Sequence, residues 1–290
     1  MKQILKTFIM KRLILVVLSA LIAIMAPAQA KLQTKKYILS DFPQKTMKVI
    51  LTGDEMTDAA LRSSVEEIWH LGPYEFCDMA DFEASRKSED FYFLLLTTVK
   101  DNNEESDGVK FFNIYKGKDN SGTGTEGLYK VTGIPYCPGS GGDGSEIAFL
   151  PPIINSLHYN VERIIRRTFN VGTVVSPNDK AAKGKWTSDL LVDKSDLGFE
   201  LGFSMNSIYE HDGIYCVEAE QIATALSERQ DKLVCLRVDA SGVQKNGTAY
   251  TMVFDASSYD MVYIKSHNIS PAKGQGIQQD EMRNFMSRKK

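Results

Sequence analysis

The chain has 290 residues, of which 43% are hydrophobic, 10% aromatic and 24% charged, and its net charge is −3. This composition is that of a globular protein and excludes a collagen-like, coiled-coil or wholly disordered chain. The weakly acidic charge also excludes the global basic field of a nucleic-acid binder. At about 150 residues per domain, the length predicts two domains.

Residues 1–30 have the pattern of a secretory signal peptide. Four basic residues precede an apolar run at 13–24, and Ala28-Gln29-Ala30 follows. This order predicts cleavage after Ala30, because the run is too short for a membrane-spanning helix, which needs about 20 residues. Met10 is an alternative start. Cleavage would leave a net charge of −7 and Lys31 at the N-terminus, where a bacterial lipoprotein needs cysteine. We therefore expect a soluble periplasmic or secreted protein with no further membrane span.

Residues 31–171 are predicted to form a first α/β unit. We expect Thr57 and Asp78 to be helix N-caps, because both precede apolar residues at helical spacing. Met79 and Phe82 are expected to face the core. The predicted elements are a strand at 47–51, a helix at about 56–69, a strand at 74–77, a helix at 78–87, a strand at 91–98, a hairpin of strands at 111–115 and 128–131, and a long helix from Pro152.

Residues 188–290 are predicted to repeat much of this plan at one constant offset, which places Val49 on Leu190 and Tyr74 on Tyr215. A linker at 172–187, rich in glycine and charge, separates the two units. The matching elements are a strand at 190–192, a short strand at 215–217, a helix at 219–226, strands at 232–238, 250–254 and 261–264, and a closing helix with Met282, Phe285 and Met286. Gly198 and Gly202 lie where the first helix of this half is expected. Because glycine disfavours helices, we expect this helix to be weaker than its counterpart in the first half.

The expected fold class is therefore α/β or α+β, with two tandem repeats of a strand-helix-strand-helix-strand-hairpin unit after the signal peptide. The alternative is two α/β segments that merely share common spacing.

The two halves share one short sequence pattern, His-x-Gly-x-Tyr, at a predicted turn. At the constant offset, three residues of the first half recur in the second: His70, Gly72 and Tyr74 match His211, Gly213 and Tyr215. Each glycine follows a predicted helix end, so we expect both to have positive φ. The histidines are expected to have structural roles, and the tyrosines to be at least half buried.

The segment Tyr74-Glu-Phe-Cys-Asp78, together with Phe82 and the strand at 91–96, resembles the N-terminal domain of the TolB type and the periplasmic domain of the curli-secretion lipoprotein type. The resemblance covers only part of the first unit. The whole chain also looks like the exported envelope proteins common in Bacteroidetes-type bacteria. These resemblances imply a cell-envelope setting and no particular activity.

Two glycine-rich segments are candidate ligand loops. Residues 122–127 read G-x-G-x-x-G, but a strand rather than a helix is predicted to follow, which favours a hairpin loop over a dinucleotide site. The second segment, 138–144, lacks the Gly-Lys-Ser/Thr of a Walker-type phosphate loop. We interpret it as a surface loop and as a possible contact loop for a ligand, formed by Gly139, Ser140, Gly141, Gly142, Asp143 and Gly144.

No catalytic residue, cofactor or metal site is predicted. The four histidines lack paired-ligand spacing, and the acidic run at 101–107 lacks the alternating order of a calcium loop. The four cysteines contain no C-x-x-C, so either buried thiols or a disulfide in one of three pairings remains open. They are Cys77, Cys137, Cys216 and Cys235.

These observations predict a non-enzymatic, exported envelope protein that binds a protein or another envelope partner, and not nucleic acid. A secreted hydrolase with a site between the two repeats and a structural assembly subunit are the alternatives. The oligomeric state stays open.

Overall fold

A computed structural model describes residues 39–99, 107–166, 170–178, 180, 184–240, 246–271 and 273–289. The predicted signal peptide and most of the acidic run lie outside these residues. The chain divides into Met1–Pro43 and a compact unit, Gln44–Lys290. In the first, residues 39–41 form a turn, and the Phe42 backbone N–H donates to the Leu39 carbonyl at 3.2 Å. Within the described ranges, no helix is both long and apolar enough to cross a membrane.

The first half of Gln44–Lys290 forms a six-stranded mixed sheet in the order β2-β1-β3-β4-β5-β6. Strand β1 runs parallel to β2 and β3, and β3, β4 and β5 are antiparallel neighbours. Its elements are β1 (Thr46–Ile50), α1 (Glu55–Ile68), β2 (Tyr74–Cys77), α2 (Met79–Ser85), β3 (Phe91–Val99), β4 (Val109–Lys116), β5 (Tyr129–Pro138), α3 (Leu150–Ile165) and β6 (Thr173–Val174).

The second half forms a five-stranded sheet in the order β11-β10-β9-β7-β8. Its elements are β7 (Asp189–Asp193), α4 (Phe203–His211), β8 (Ile214–Val217), α5 (Ala219–Ser227), β9 (Lys232–Asp239), β10 (Thr248–Asp255), β11 (Met261–Asn268) and α6 (Gln279–Arg288). Strand β7 is parallel to β8 and β9, and the last three strands are antiparallel. The order and directions therefore match those of β2-β1-β3-β4-β5, and the predicted mixed α/β class is confirmed.

The strand register departs from the constant offset between the two halves. Tyr74 lies opposite Met47 in the first sheet, so the offset places Ser188 opposite Tyr215 in the second. In the structure, Tyr215 lies opposite Leu191. The uniform offset is therefore wrong for β7, although the strand takes the equivalent place in its sheet. Matching of apolar runs did not detect this difference, which arises because the connection between β7 and β8 is shorter than that between β1 and β2.

Two sequence predictions about the helices of the first half need correction. The N-cap of α1 is Asp54, whose carboxylate accepts the Thr57 backbone N–H at 2.8 Å, so the helix begins before Thr57. Asp78 caps α2 as predicted, and Phe82 is buried. Met79, however, is 50% exposed, because this short helix buries only Phe82. In the second half, α4 begins directly after Gly202 and has 9 residues against 14 in α1.

The two matched turns differ in their backbone. Gly213 has φ of +70° and follows directly on the end of α4, as predicted. Gly72 does not have a positive φ, so this prediction is wrong. Helix α1 ends at Ile68 and Trp69 is already extended, with φ of −84° and ψ of 115°. The chain has therefore left the helix before it reaches Gly72, and no left-handed residue is needed there.

Side chains of the two halves pack against each other. The rings of Phe149 and Phe254 lie 6.1 Å apart, and those of Phe111 and Tyr250 lie 5.5 Å apart. The segment between the sheets takes part in both: β6 pairs with β5, and Trp186 is buried in the second core. All four cysteines are buried free thiols.

Candidate functional site

The first glycine motif is a structural loop. Residues 122–127 lie between β4 and β5, as the sequence predicts for a hairpin connection. The guanidinium of Arg86, which is 2% exposed, donates to the backbone carbonyls of Gly122, Gly124 and Glu126. These hydrogen bonds hold the loop against the end of α2. The three carbonyl groups that accept them face Arg86.

The second glycine-rich loop covers a cavity of about 200 Å³ between the two halves. The loop follows β5 and leads into a 3₁₀ helix, Ser145–Phe149, and then into α3. Of the predicted contact loop, Gly141, Gly142 and Asp143 line the cavity, whereas Gly139, Ser140 and Gly144 do not. The second half supplies the opposite wall, from the end of β7, the start of α5 and the middle of β9.

The ends of β7 and β9 create this opening. The pairing of β7 with β9 reaches only as far as Leu191 opposite Val234, so the edge of β9 beyond that point is free of β7. The chain leaves β7 towards β8 and leaves β9 towards β10, which lies on the other side. In open α/β sheets, ligands bind at such places, where connections from neighbouring strands diverge.

Two aspartates line the cavity at the carboxyl end of β7: Asp193 is the last residue of the strand, and Asp196 lies three residues beyond it. Asp193 is fixed by its neighbour, because its Oδ1 accepts the backbone N–H and the hydroxyl of Ser195, each at 2.8 Å. Burial raises the pKa of Asp196 to about 7, with the charges of Asp193 and Asp239 adding to the rise and Arg237 opposing it. The carboxyl group of Asp196 is therefore partly protonated at neutral pH.

Arg237 of β9 is a buried cation in the same wall. Its side chain is 2% exposed, and it donates to Asp239 at 2.7 Å and to Glu281 of α6 at 3.0 Å. Thr251 joins this network, since its hydroxyl accepts from Arg237 and donates to Glu281. The remaining guanidinium nitrogen, Nη2, is buried and has no hydrogen-bond partner in the part of the chain that the structure describes.

Ser145, Ser195 and Cys137 are potential nucleophiles in the cavity lining. Ser145 donates its hydroxyl to Asp143 at 2.6 Å, and Ser195 donates to Asp193. Burial, with a contribution from Glu146, raises the pKa of the Cys137 thiol to about 11. Because the thiolate is the reactive form of cysteine, Cys137 is unreactive at neutral pH.

The histidines lie elsewhere. The rings of His70 and His158 are 4.3 Å apart, where α1 packs against α3. Burial, and then the charge of His70, lowers the pKa of His158 to about 4. His211 is the last residue of α4. Among the residues with described positions, no three His, Cys, Asp or Glu side chains are placed to share a metal ion.

Comparisons of the chain with protein-family models, curated proteins and solved structures gave no match.

Sequence reasoning found one side of the cavity and missed the other. The glycine-rich loop was identified by composition, whereas Asp193, Asp196 and Arg237 were not. One signal was present: Arg237 interrupts the apolar run of β9, and a charge within a buried strand needs a partner. The carboxylates after β7 carry no such signal, because acidic residues at strand ends are common on any surface.

Proposed function

We propose that this chain is an exported, non-enzymatic binding protein of the cell envelope, and that the cavity between its two halves binds a polar group of the partner. The observation that carries the proposal is the cavity itself, which lies where β7 and β9 diverge and is lined by polar side chains from both halves, among them Asp143, Ser195 and Asp196. In open α/β sheets, ligands bind in crevices at the carboxyl ends of the strands, where the connections diverge.

The chemistry of the other lining groups favours binding over covalent catalysis. The Cys137 thiol stays protonated because burial raises its pKa. Ser145 donates to Asp143, and the hydrogen bonds from Ser145 lower the pKa of Asp143, so this carboxylate is a poor base for activating the hydroxyl. The carboxylates of Asp193 and Asp196 make the cavity acidic, which favours a protein or another envelope component over nucleic acid as partner.

Export is proposed on the composition of residues 1–30 and supports an envelope partner. N-terminal sequencing of material recovered outside the cytoplasm is expected to begin at Lys31. A full-length product that stays in the cytoplasm would contradict the export proposal while leaving the cavity proposal in place.

The binding site is tested by closing the cavity. We expect Ala219→Trp, at the start of α5 in the cavity wall, to fill it, whereas Glu220→Trp places the same ring on the exposed neighbouring position. Saturation-transfer NMR with a panel of amino acids, amines, carboxylates and sugars is expected to find at least one class that binds the wild type and Glu220→Trp but not Ala219→Trp. Equal binding to both variants, or no binding by any class, would contradict the proposal.

A secreted hydrolase is the second candidate, and Asp196 favours it. A carboxyl group with a pKa of about 7 in a polar cavity can act as a general acid or base at neutral pH. Hydrolysis of ester, amide or glycoside substrates by the wild type, lost in Asp196→Asn, would establish this function. Turnover that is absent in both proteins, together with binding at the cavity, would leave the binding function.

A structural assembly subunit is the third candidate. On α4, Phe203 is 89% exposed and Ile208 is 54% exposed, and large apolar side chains at this exposure are frequent in interfaces. Sedimentation velocity tests this candidate. A concentration-dependent oligomer that dissociates in the double variant Phe203→Ser and Ile208→Ser would favour assembly.

A further inference from the structure

A groove between α1 and α5 is a second concave site, separate from the cavity, and we call it the α1–α5 groove. Helix α5 contributes to both sites: Ala219 lines the cavity, whereas Ala223, one turn further along the helix, lines the groove. The apolar part of the groove includes Ile147, Ala148 and Pro151, where the 3₁₀ helix leads into α3. The groove measures about 420 Å³, within the roughly 300–1,000 Å³ of pockets for small ligands.

Most of the hydroxyl groups that line the α1–α5 groove can accept hydrogen bonds from a ligand but cannot donate to it. Four of the five already donate to a backbone carbonyl of α1 or α5, at 2.7–3.1 Å: Ser64, Thr224, Ser227 and Tyr259. A hydroxyl group has one hydrogen and two lone pairs, so these oxygens are left as acceptors. A ligand group that binds to them must therefore be a donor.

The charge beside these acceptors is negative. Glu220 is exposed, lies one turn before Thr224 on the same row of α5, and forms no ion pair with the residues that the structure describes. The cation at the groove, Arg229, is already neutralised, because its guanidinium is paired with Glu67 of α1 and stacks on the Tyr259 ring at 3.5 Å. The donor on the ligand should therefore carry a positive charge.

The groove wall near Tyr259 has an unusual backbone conformation. Tyr259 has φ of +63° and Arg229 has φ of +53°, and they are two of the three non-glycine residues with positive φ in the described ranges. The Asn155 side chain donates to the Tyr259 carbonyl at 3.0 Å and helps to hold this conformation. Such residues persist where their surroundings enforce the conformation, and they are frequent at binding sites.

The size of the groove limits its occupant to a small molecule. One turn of an α-helix, about 10–12 Å across and 5.4 Å long, would take up the whole volume, whereas an apolar cavity of about 150 Å³ holds one benzene ring. Going beyond the binding function of the cavity, we propose that the α1–α5 groove binds a primary ammonium ion with an apolar body of about six to eight carbons. The ammonium donates to Glu220 and to the hydroxyl oxygens of Thr224 and Ser227, and the apolar body packs on Ile147 and Pro151.

Three probes test the ligand chemistry: n-hexylamine, n-hexanol and hexanoate share one alkyl chain and differ in charge. Titrations of the purified protein at pH 7 and low salt, followed by ¹H–¹⁵N NMR, measure the three dissociation constants. We expect n-hexylamine to bind at least tenfold more tightly than hexanoate and several-fold more tightly than n-hexanol. The inference fails if hexanoate binds as tightly as n-hexylamine, or if n-hexylamine does not bind.

Variants decide where n-hexylamine binds. We expect Ala223→Trp to fill the groove and abolish binding, whereas Ala219→Trp, the matched control one turn earlier, fills the cavity and should bind as the wild type does. Binding that is lost in Ala219→Trp and kept in Ala223→Trp would place the amine in the cavity, which overturns this inference and supports the binding function proposed above.

A milder variant tests the charge without filling the groove. Glu220→Gln keeps the shape of the side chain and should weaken n-hexylamine at least fivefold, while the affinity for n-hexanol stays unchanged. Equal affinity of Glu220→Gln and the wild type for n-hexylamine would overturn the inference, whatever Ala223→Trp shows.

Discussion

Ionisation of the Asp196 carboxyl group lowers the free energy of unfolding as the pH rises to neutral. Burial raises its pKa to about 7 from 3.8, so the folded protein retains a proton that the unfolded chain has lost. Its contribution to stability is therefore fully present below pH 3.8 and is lost as the pH rises through 7. We expect Asp196→Asn to be more stable than the wild type by about 1–3 kcal/mol at pH 8 and nearly equal to it at pH 4.

Urea unfolding of both proteins at the two pH values measures this difference. Asp193→Asn is an informative companion, because Asp193 uses its carboxylate to accept two hydrogen bonds from Ser195. That variant should lose stability through the weakened turn. An Asp196→Asn protein that is less stable than the wild type at pH 8 would show that the ionised carboxylate is compensated in the fold.

A side chain at Gly213 should strain the turn that follows α4. Its φ is +70°, and a Cβ there would lie 3.0 Å from the Asp189 carboxylate and 3.1 Å from the Lys289 side chain. We expect Gly213→Val to lower the free energy of unfolding by about 1–3 kcal/mol. Gly202→Ala is the control, because Gly202 has φ of −75° and open space around it. Equal losses in the two variants would mean that backbone strain is not the cause.

At the scale of elements, the β4–β5 loop depends on one side chain from a helix end. Arg86 holds three carbonyl groups of that loop from a buried position. We expect Arg86→Met to cost about 2–3 kcal/mol, because three partly buried hydrogen bonds from a charged donor are lost. Proteolysis should then cut first within residues 118–128. Lys87→Met, at the exposed neighbouring position, should change neither stability nor the cleavage site.

The packing of α1 against α3 should make the protein sensitive to acid. His158 has a pKa lowered to about 4 by burial and by His70, whereas an unfolded histidine titrates near 6.5. The unfolded chain therefore binds more protons between these values, and stability should fall as the pH drops from 6.5 to 4, by about 1–2 kcal/mol. His158→Gln should flatten this part of the stability curve. Exposed His211→Gln should leave it unchanged.

Sequence reasoning succeeded where an element is determined by its own residues. Apolar spacing predicted most strands and helices of both halves, although β5 extends to Pro138, beyond the predicted 128–131, and β6 lies within the predicted linker. Asp78 is a cap as predicted, because its side chain bonds within the same turn. Prediction failed where the environment decides. Gly72 and Gly213 share a local sequence, yet only Gly213 has positive φ, because the two preceding helices end at different distances from the glycine.

The cavity shows the same limit at the scale of the whole molecule. Its glycine-rich loop was found by composition, but Asp196 and Arg237 reach the loop only through the packing of one half on the other. No local pattern encodes that packing, since Phe149 and Phe254 are far apart in sequence. The fold class could thus be predicted from the chain, whereas the composition of the site required the arrangement of both sheets.

The buried contact between the halves predicts that they unfold together. Phe254 is fully buried and lies against Phe149 of the first half, so neither sheet can lose its structure without exposing core of the other.

The chain has two tryptophans, which serve as separate probes: Trp69 follows α1, and Trp186 packs in the second core. Trp69→Phe leaves the fluorescence of the second half, and Trp186→Phe leaves that of the first half. In each variant, we expect the midpoint of urea unfolding measured by fluorescence to coincide with the midpoint measured by circular dichroism. Phe254→Leu should lower both midpoints together, by about 1–2 kcal/mol in unfolding free energy. Two separate transitions, with only the Trp186 signal responding to Phe254→Leu, would show that the halves are independent domains and that the cavity between them is not a fixed site.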